Sequence, residues 1–314
     1  MPSPQPHAFT LVTDGLRFPE GPVAMPDGSV LLVEIARGTL TRVSPKGDRQ
    51  VVATPGGGPN GAAIGPDGAC FLCNNGGFKW HEDAQGLRPV LQAEDYSGGR
   101  IERVDLESGE VTVLYTHAGD VPLRGPNDIV FDAHGGFWFT DLGKVRVHDM
   151  DRGRVFYARA DGGEIREVIH PLFSPNGIGL SPDGETLYVA ETPTARVWAF
   201  DIIGPGEIRR QPWPSPHGGR FLAGSSNYQT FDSLAVDSAG NVCVATLMNG
   251  GITVISPDGA SVEHIPLPDL YTTNICFGGE DLRTAFITLS GSGRLVSMPW
   301  PRPGLLLNHQ QLTA

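Results

Sequence analysis

The 314-residue chain lacks most of the features that declare a chemistry outright. Cysteine is scarce: Cys70, Cys73, Cys243 and Cys276 are the whole complement. Cys70 and Cys73 have CxxC spacing but fall in the strand-like run ACFLC, where an offset of three sends side chains to opposite faces and away from any shared metal. They read as buried free thiols of a reduced, cytoplasmic protein. Basic residues are also short, with 23 Lys and Arg against 35 Asp and Glu and a formal net charge of −12. No basic stripe is present to neutralise phosphates, which excludes nucleic acid as a partner. An acidic balance tolerates a bound cation without proving one. The opening MPSPQPHAFT has neither a basic n-region nor an apolar h-region, so no secretory leader is expected. No apolar run approaches the length of a membrane span, which leaves no membrane partner to expect. Helical periodicity is nowhere sustained, and no Ser-His-Asp arrangement, phosphate loop or dinucleotide fingerprint occurs in a supporting context.

What the chain has in abundance is punctuation, 42 Gly and 27 Pro, set among short apolar runs. Turn signals of one kind recur: Pro26-Asp27-Gly28, Pro66-Asp67-Gly68, Asp132 to Gly135, Pro182-Asp183-Gly184, Asp237 to Gly240, and a degenerate Gly278-Gly279-Glu280-Asp281. Each follows a short apolar segment (PVAM, AAIG, DIVF, IGLS, LAVD, ICFG) and precedes a β-branched or aromatic run (VLLVEI, CFLC, FWFTDL, LYVAE, VCVATL, AFITL). Every unit is thus a hairpin around a polar turn. A second turn, such as Pro45-Lys46-Gly47 or Pro257-Asp258-Gly259, falls later in most units and adds a second hairpin. Units of about forty to sixty-odd residues with four strands are propeller blades. The predicted fold is therefore all-β: one six-bladed β-propeller domain over residues 1–314, with four-stranded antiparallel blades. Two stacked sandwiches would give no reason for a sixfold repeat. The last unit runs short of a fourth strand before proline intervenes, and HAFTLVTDGL at the N-terminus has strand composition. This N-terminal strand is expected to close the last blade.

Lining up the six units on the first turn exposes one position. Five to seven residues before each turn Asp stand Glu20, Asn60, Asn127, Asn176, Asp232 and Asn274. In a propeller the first strand of each blade lines the central channel, so these side chains converge on the axis. Six oxygen-bearing side chains there suit a hard cation. The preference of Asn and Asp for turns after Pro accounts for roughly one or two of the six. It leaves unexplained why none is Ser, Thr, Lys or apolar, and why Glu20 stands beside Gly21. Two carboxylates with neutral amides favour Ca²⁺ over Zn²⁺, which prefers His or Cys; Mn²⁺ and Mg²⁺ are further options.

The motifs FPEGP at 18–22, GPND at 125–128, SPNGIGLSPDG at 174–184 with LYVAET after it, and FDSLAVDSAGN at 231–241 resemble the regucalcin (senescence marker protein), gluconolactonase and luciferin-regenerating enzyme family. The resemblance runs from Phe18 to about Trp300. It implies a six-bladed propeller with a divalent metal on its axis, hydrolysing sugar lactones, other lactones or, in the diisopropyl fluorophosphatase branch, organophosphates. By position it implies Glu20 and Asn176 as metal ligands, Asp232 as both ligand and catalytic residue, and Asn127 as a contact to metal or substrate. Sugar-lactonase members carry a substrate-binding Arg two residues before that Asn; here the position is Gly125, with Arg124 adjacent. Asn127, Arg124, Asn60 and Asn274 are the substrate-binding candidates.

A site of this kind opens a lactone by polarising its carbonyl, with Asp232 as general base toward water and Glu20 as a structural ligand. Direct attack by Asp232 is the alternative chemistry. A phosphotriesterase would use the same groups on P=O, and a non-enzymatic calcium-binding propeller would need neither an intact ring nor two carboxylates. The partner expected is a small lactone or ester. Segment 77–98 is too long for a plain hairpin loop and is expected to cover one face, offering Trp80, His81 and Tyr96 to a pocket. His217 through Gln229 is a second expected wall. Arg146 and His148 follow the channel-side hairpin of the third unit, although a solvated or backbone-bonded His is the commoner case.

Overall fold

Each apolar run after an Asp-Gly turn is the second strand of an antiparallel sheet, and the short segment before that turn is the first. The computed structural model describes residues 8–311. His7, where the predicted N-terminal segment begins, and the opening MPSPQP before it lie outside them. Blade one is Pro19–Ala24, Val30–Glu34, Thr39–Val43 and Arg49–Ala53. Blade two is Pro59–Ile64, Cys70–Asn74, Arg100–Val104 and Val111–Tyr115. Blade three is Pro126–Phe131, Gly136–Asp141, Gly153–Arg159 and Ile165–Leu172. Blade four begins Pro175–Leu180, Thr186–Glu191 and Arg196–Gly204. Blade five is Thr230–Val236, Val242–Leu247, Gly251–Ile255 and Val262–Pro266. Blade six is Thr272–Gly278, Thr284–Leu289 and Arg294–Pro299, completed by Thr10–Thr13 from the N-terminal end. Thr10 pairs with Ser297, so the expected closure is present. The six first strands lie side by side in a closed ring, the last against the first. The chain is thus a six-bladed β-propeller, and its described residues contain no α-helix.

The core is divided into wedges between neighbouring blades. Phe71 and Cys73 pack toward blade three, whereas Cys70 and Leu72 on the same strand pack toward blade one. Leu187 and Val189 face blade three, and Tyr188 and Ala190 face blade five. Both faces of the second strands are therefore covered, which is why these runs are continuously apolar instead of alternating. The same period puts Cys70 and Cys73 on opposite faces, and all four cysteines are free. Turn residues such as Gly28 and Gly184 have φ of 77° and 73°, a region that glycine enters without steric cost.

Three departures from the regular repeat shape the surface. Blade two carries a hairpin, Phe78–Asp83 with Gly86–Gln92, between its second and third strands. Blade four has a broken outer edge: Glu207–Arg209 and Arg220–Gly224 pair with different stretches of its third strand. After Trp300 the chain turns back beneath the turn end of the ring. There Leu305 N–H donates to the Val236 carbonyl, Asn308 Nδ2 to that of Phe131 and Gln310 Nε2 to that of Phe277. This segment bounds a channel cavity of about 380 Å³, walled by apolar side chains such as Val23, Ile178, Leu234 and Phe277.

Candidate functional site

The six aligned residues all sit at the start of a first strand. Glu20, Asn60, Asn127 and Asn176 are the second residues of theirs, and Asp232 and Asn274 the third. In every blade the register with the second strand is interrupted at this point: between Glu20 and Val23, Pro59 and Ala62, Pro126 and Ile129, Pro175 and Ile178, Phe231 and Leu234, and Thr272 and Asn274. Such a bulge frees a residue from the ladder and re-aims its side chain. All six are buried.

Two repeated devices hold the strand starts. The second strand of blades one to four ends in a carboxylate or amide that accepts from the backbone leading into the ring. Arg17 N–H donates to Glu34 at 2.8 Å, Gly58 N–H to Asn74 at 2.9 Å, and Phe173 N–H to Glu191 at 2.8 Å. Asp141 takes both Arg124 N–H and Gly125 N–H at 2.7 Å. The other device is the residue after the ring position. A Cβ on Gly21 would stand 2.5 Å from the Asn60 carbonyl oxygen, one on Gly61 2.4 Å from that of Asn127, and one on Gly177 2.8 Å from that of Asp232. These glycines let neighbouring first strands approach closely enough for the ring residues to meet.

They do meet. Asn274 Nδ2 donates to Glu20 Oε2 at 2.7 Å, and Gly21 N–H donates to the same oxygen at 2.7 Å. Ser233 Oγ donates to Asn176 Oδ1 at 3.2 Å. Asp128 joins the group, with Oδ1 on Ile129 N–H and Oδ2 on Ile178 N–H of the next blade. Burial pushes the Glu20 carboxyl up to about 7, against the pull of its Asn274 and Gly21 bonds. Burial, reinforced by Glu20, pushes Asp128 up to about 8. Asp232 is held well above the carboxylate range by burial and then by Glu20, with Asp128 adding to it. Among the described residues no Lys, Arg or His forms an ion pair with any of the three, and the donors to Glu20 and Asp128 are backbone N–H groups and the Asn274 amide.

Buried carboxylates without a counter-charge are costly, and a divalent cation would reverse the balance. The donor chemistry fits one. Asn127 Oδ1 is buried with no hydrogen-bond partner among the described residues. Among the described residues no three His, Cys, Asp or Glu side chains form a ligand group of their own, so the donors on offer are mixed carboxylate and amide oxygens. That set suits a hard ion.

The remaining candidates lie elsewhere. Arg124 is exposed, and its charge acts on Tyr96 and Asp151, not on the ring acids. Trp80, half-buried, packs on Phe18 at 5.2 Å and Phe78 at 6.1 Å, so its ring docks the hairpin against the approach to blade one. The hairpin does cover one face: Leu87 N–H near its tip reaches the Gly291 carbonyl of blade six. His81 is exposed beside Asp83, and the Tyr96 hydroxyl donates to the Arg124 carbonyl. Arg146 pairs with Asp149 and Asp151, and His148 is exposed. His217, which opens the second expected wall, lies at the broken outer edge of blade four, its ring 4.4 Å from Trp198. Tyr228, in the same expected wall, is exposed. The residues missed from sequence are Asp128 and the supporting Glu34, Asn74, Asp141 and Glu191. Their signals were available: Asp128 stands where PEG and PNG have glycine, and the four apolar runs each end in an acid or amide.

A family model described as "SMP-30/Gluconolactonase/LRE-like region" matches residues 18–291. A protein named lactonase drp35 of Staphylococcus saprophyticus is 28% identical over 244 residues, 77% of this chain and 67% of that one. A gluconolactonase of Zymomonas mobilis is 25% identical over 308 residues, 89% of this chain and 78% of its own. Among solved structures, a calcium-binding regucalcin from Agrobacterium tumefaciens superposes with a TM-score of 0.74 at 18% identity, covering 98% of this chain and 97% of that one.

Proposed function

The chain belongs to the SMP-30/gluconolactonase/LRE-like family, and from that premise we propose that it is a divalent-metal-dependent lactonase working at the axial ring. Relatives named lactonase, gluconolactonase and 6-deoxy-6-sulfogluconolactonase support a cyclic ester as substrate. The observation that carries the site is the burial of Glu20 and Asp232, with Asp128, at the starts of the first strands of blades one, five and three and without an ion-pair partner among the described residues.

Glu20, Asn127, Asn176 and Asp232 would hold the ion, and the all-oxygen donor set favours Ca²⁺. Bound there, the cation supplies positive charge that polarises the ester carbonyl and steadies the charge growing on its oxygen. Glu20 is the fixed ligand, because Gly21 N–H and the Asn274 amide hold its Oε2. Asp232 is the general base. Ionised beside a cation, it takes a proton from the water that attacks the carbonyl carbon. The ring C–O bond then breaks, and the proton passes to the departing alkoxide to give a hydroxy acid. Asn60 and Asn274 complete the rim, where neutral amides can meet substrate oxygens.

Hydrolysis of a lactone panel by metal-stripped and metal-reloaded protein tests the proposal, followed by pH-stat with a phosphotriester as control. Turnover restored by the metal is expected on at least one lactone. Silence on all lactones with phosphotriester cleavage, or with metal binding alone, overturns the lactonase reading.

A further inference from the structure

One buried amide beside the ring has an unexplained donor. Asn75 follows the second strand of blade two and is fully buried. Its N–H donates to the Gly58 carbonyl at 2.8 Å, two residues before Asn60. Its side chain lies flat on Gly58, where a Cβ would stand 2.4 Å from Oδ1 and 2.9 Å from Nδ2. Oδ1 accepts from Gly77 N–H at 2.9 Å and from Lys144 Nζ at 3.0 Å. Both partners can only donate, so the amide orientation is fixed. Its Nδ2 has no partner among the described residues.

Lys144 reaches this point from the other side. It follows the second strand of blade three, just past the Asp141 that secures the approach to Asn127. Buried itself, it gives a second bond to the Gly77 carbonyl at 3.0 Å and sets its ammonium 4.1 Å from the centre of the Phe78 ring. Asn75 and Lys144 thus bridge the lead-ins of two ring residues, Asn60 and Asn127. Burial drives the Lys144 ammonium down to about 7, against Asp141 and Asp151.

Residue choice at 75 sharpens the question. An Asp would accept the same two bonds and offer Lys144 a full counter-charge. An Asn forgoes that and leaves a buried N–H₂ unmet, which is costly unless something else accepts from it. We infer that Asn75 binds substrate, its amide N–H₂ donating to an oxygen of the cyclic ester, and that Lys144 is the positioning residue that turns the amide to do so. The inference rests on the lactonase reading and adds a specificity contact to it. A substrate lacking the matching oxygen leaves the buried donor unmet and is discriminated against.

The test uses full-length, metal-loaded protein with three variants, Asn75→Ala, Asn75→Asp and Lys144→Met. Steady-state kinetics on the best lactone of the panel are paired with calorimetric binding of its lactam, which is not hydrolysed on the assay timescale. Metal affinity and Tm are measured alongside. KM and the lactam Kd should rise about ten- to hundredfold in both Asn75 variants. Asn75→Asp keeps the acceptor bonds, so it stays folded and carries the test if Asn75→Ala does not. Lys144→Met should raise KM more than it lowers kcat. A KM and lactam Kd within about twofold of wild type in a folded, metal-loaded Asn75 variant overturns the inference while leaving the lactonase reading intact. An inactive wild type overturns both.

Discussion

Asn274 Nδ2 donates to Glu20 Oε2 across 2.7 Å, although 254 residues separate the two in sequence. The bond joins the last blade to the first on the channel axis, at the inner edge of the blade whose outer edge Thr10–Thr13 completes. Hydrogen bonds to a buried charge are worth about 1.5–3 kcal/mol. Asn274→Ala should therefore weaken metal binding roughly tenfold or more. A metal titration of the variant followed by protein fluorescence measures the loss, and an unchanged affinity would remove Asn274 from the account of Glu20.

The two ring carboxylates should fail in different ways. Asp232→Asn, assayed at saturating metal, should lose about 10²- to 10⁴-fold in kcat, the usual contribution of a general base. Glu20→Gln should chiefly lose metal affinity, so that excess cation restores part of its turnover. Equal and irreparable losses in both variants would contradict the division of labour.

The ring acids also set a pH dependence. Folded, Glu20 is raised from its ordinary 4.5 to about 7, and Asp128 from 3.8 to about 8. A carboxyl raised by folding binds its proton more tightly in the native state, so the stability it contributes is full below its unfolded value. That stability is lost as pH climbs from about 4 through about 8. Metal-free protein should therefore lose Tm across this window. The Tm gained on adding Ca²⁺ should be larger at pH 8 than at pH 5, because the cation meets ionised oxygens there. Thermal melts with and without Ca²⁺ across that range check it; a gain that shrinks with rising pH would sink the idea.

Close approach of the first strands offers a test that leaves every polar side chain in place. A Cβ at position 177 would stand 2.6 Å from Leu234 N and 2.8 Å from the Asp232 carbonyl oxygen. Gly177→Ala must push blade five away from blade four, at a cost of roughly 1–3 kcal/mol. The variant should melt lower and bind metal more weakly, as denaturant unfolding and metal titration would show. Normal affinity in a destabilised variant would mean that ring spacing does not govern the site.

What the sequence determined by itself was everything governed by near neighbours in the chain. Asp-Gly turns, apolar runs buried on both faces and a sixfold recurrence are local patterns, and they named the blades, the closing strand and the six residues of the ring. Tertiary structure alone decided which side chains act together. Asp128 reads like its neighbours in PND, yet only closure of the ring presses it against Ile178 N–H and the field of Glu20. Arg124 and His217 stand close to ring residues in sequence, but strand direction carries one to the surface and the other to the outer edge of blade four. Asn75 and Lys144 lie 69 residues apart on different blades, and nothing along the chain links them. Burial, not spacing, joins these groups: a buried charge or amide takes whatever partner the closed ring brings within reach.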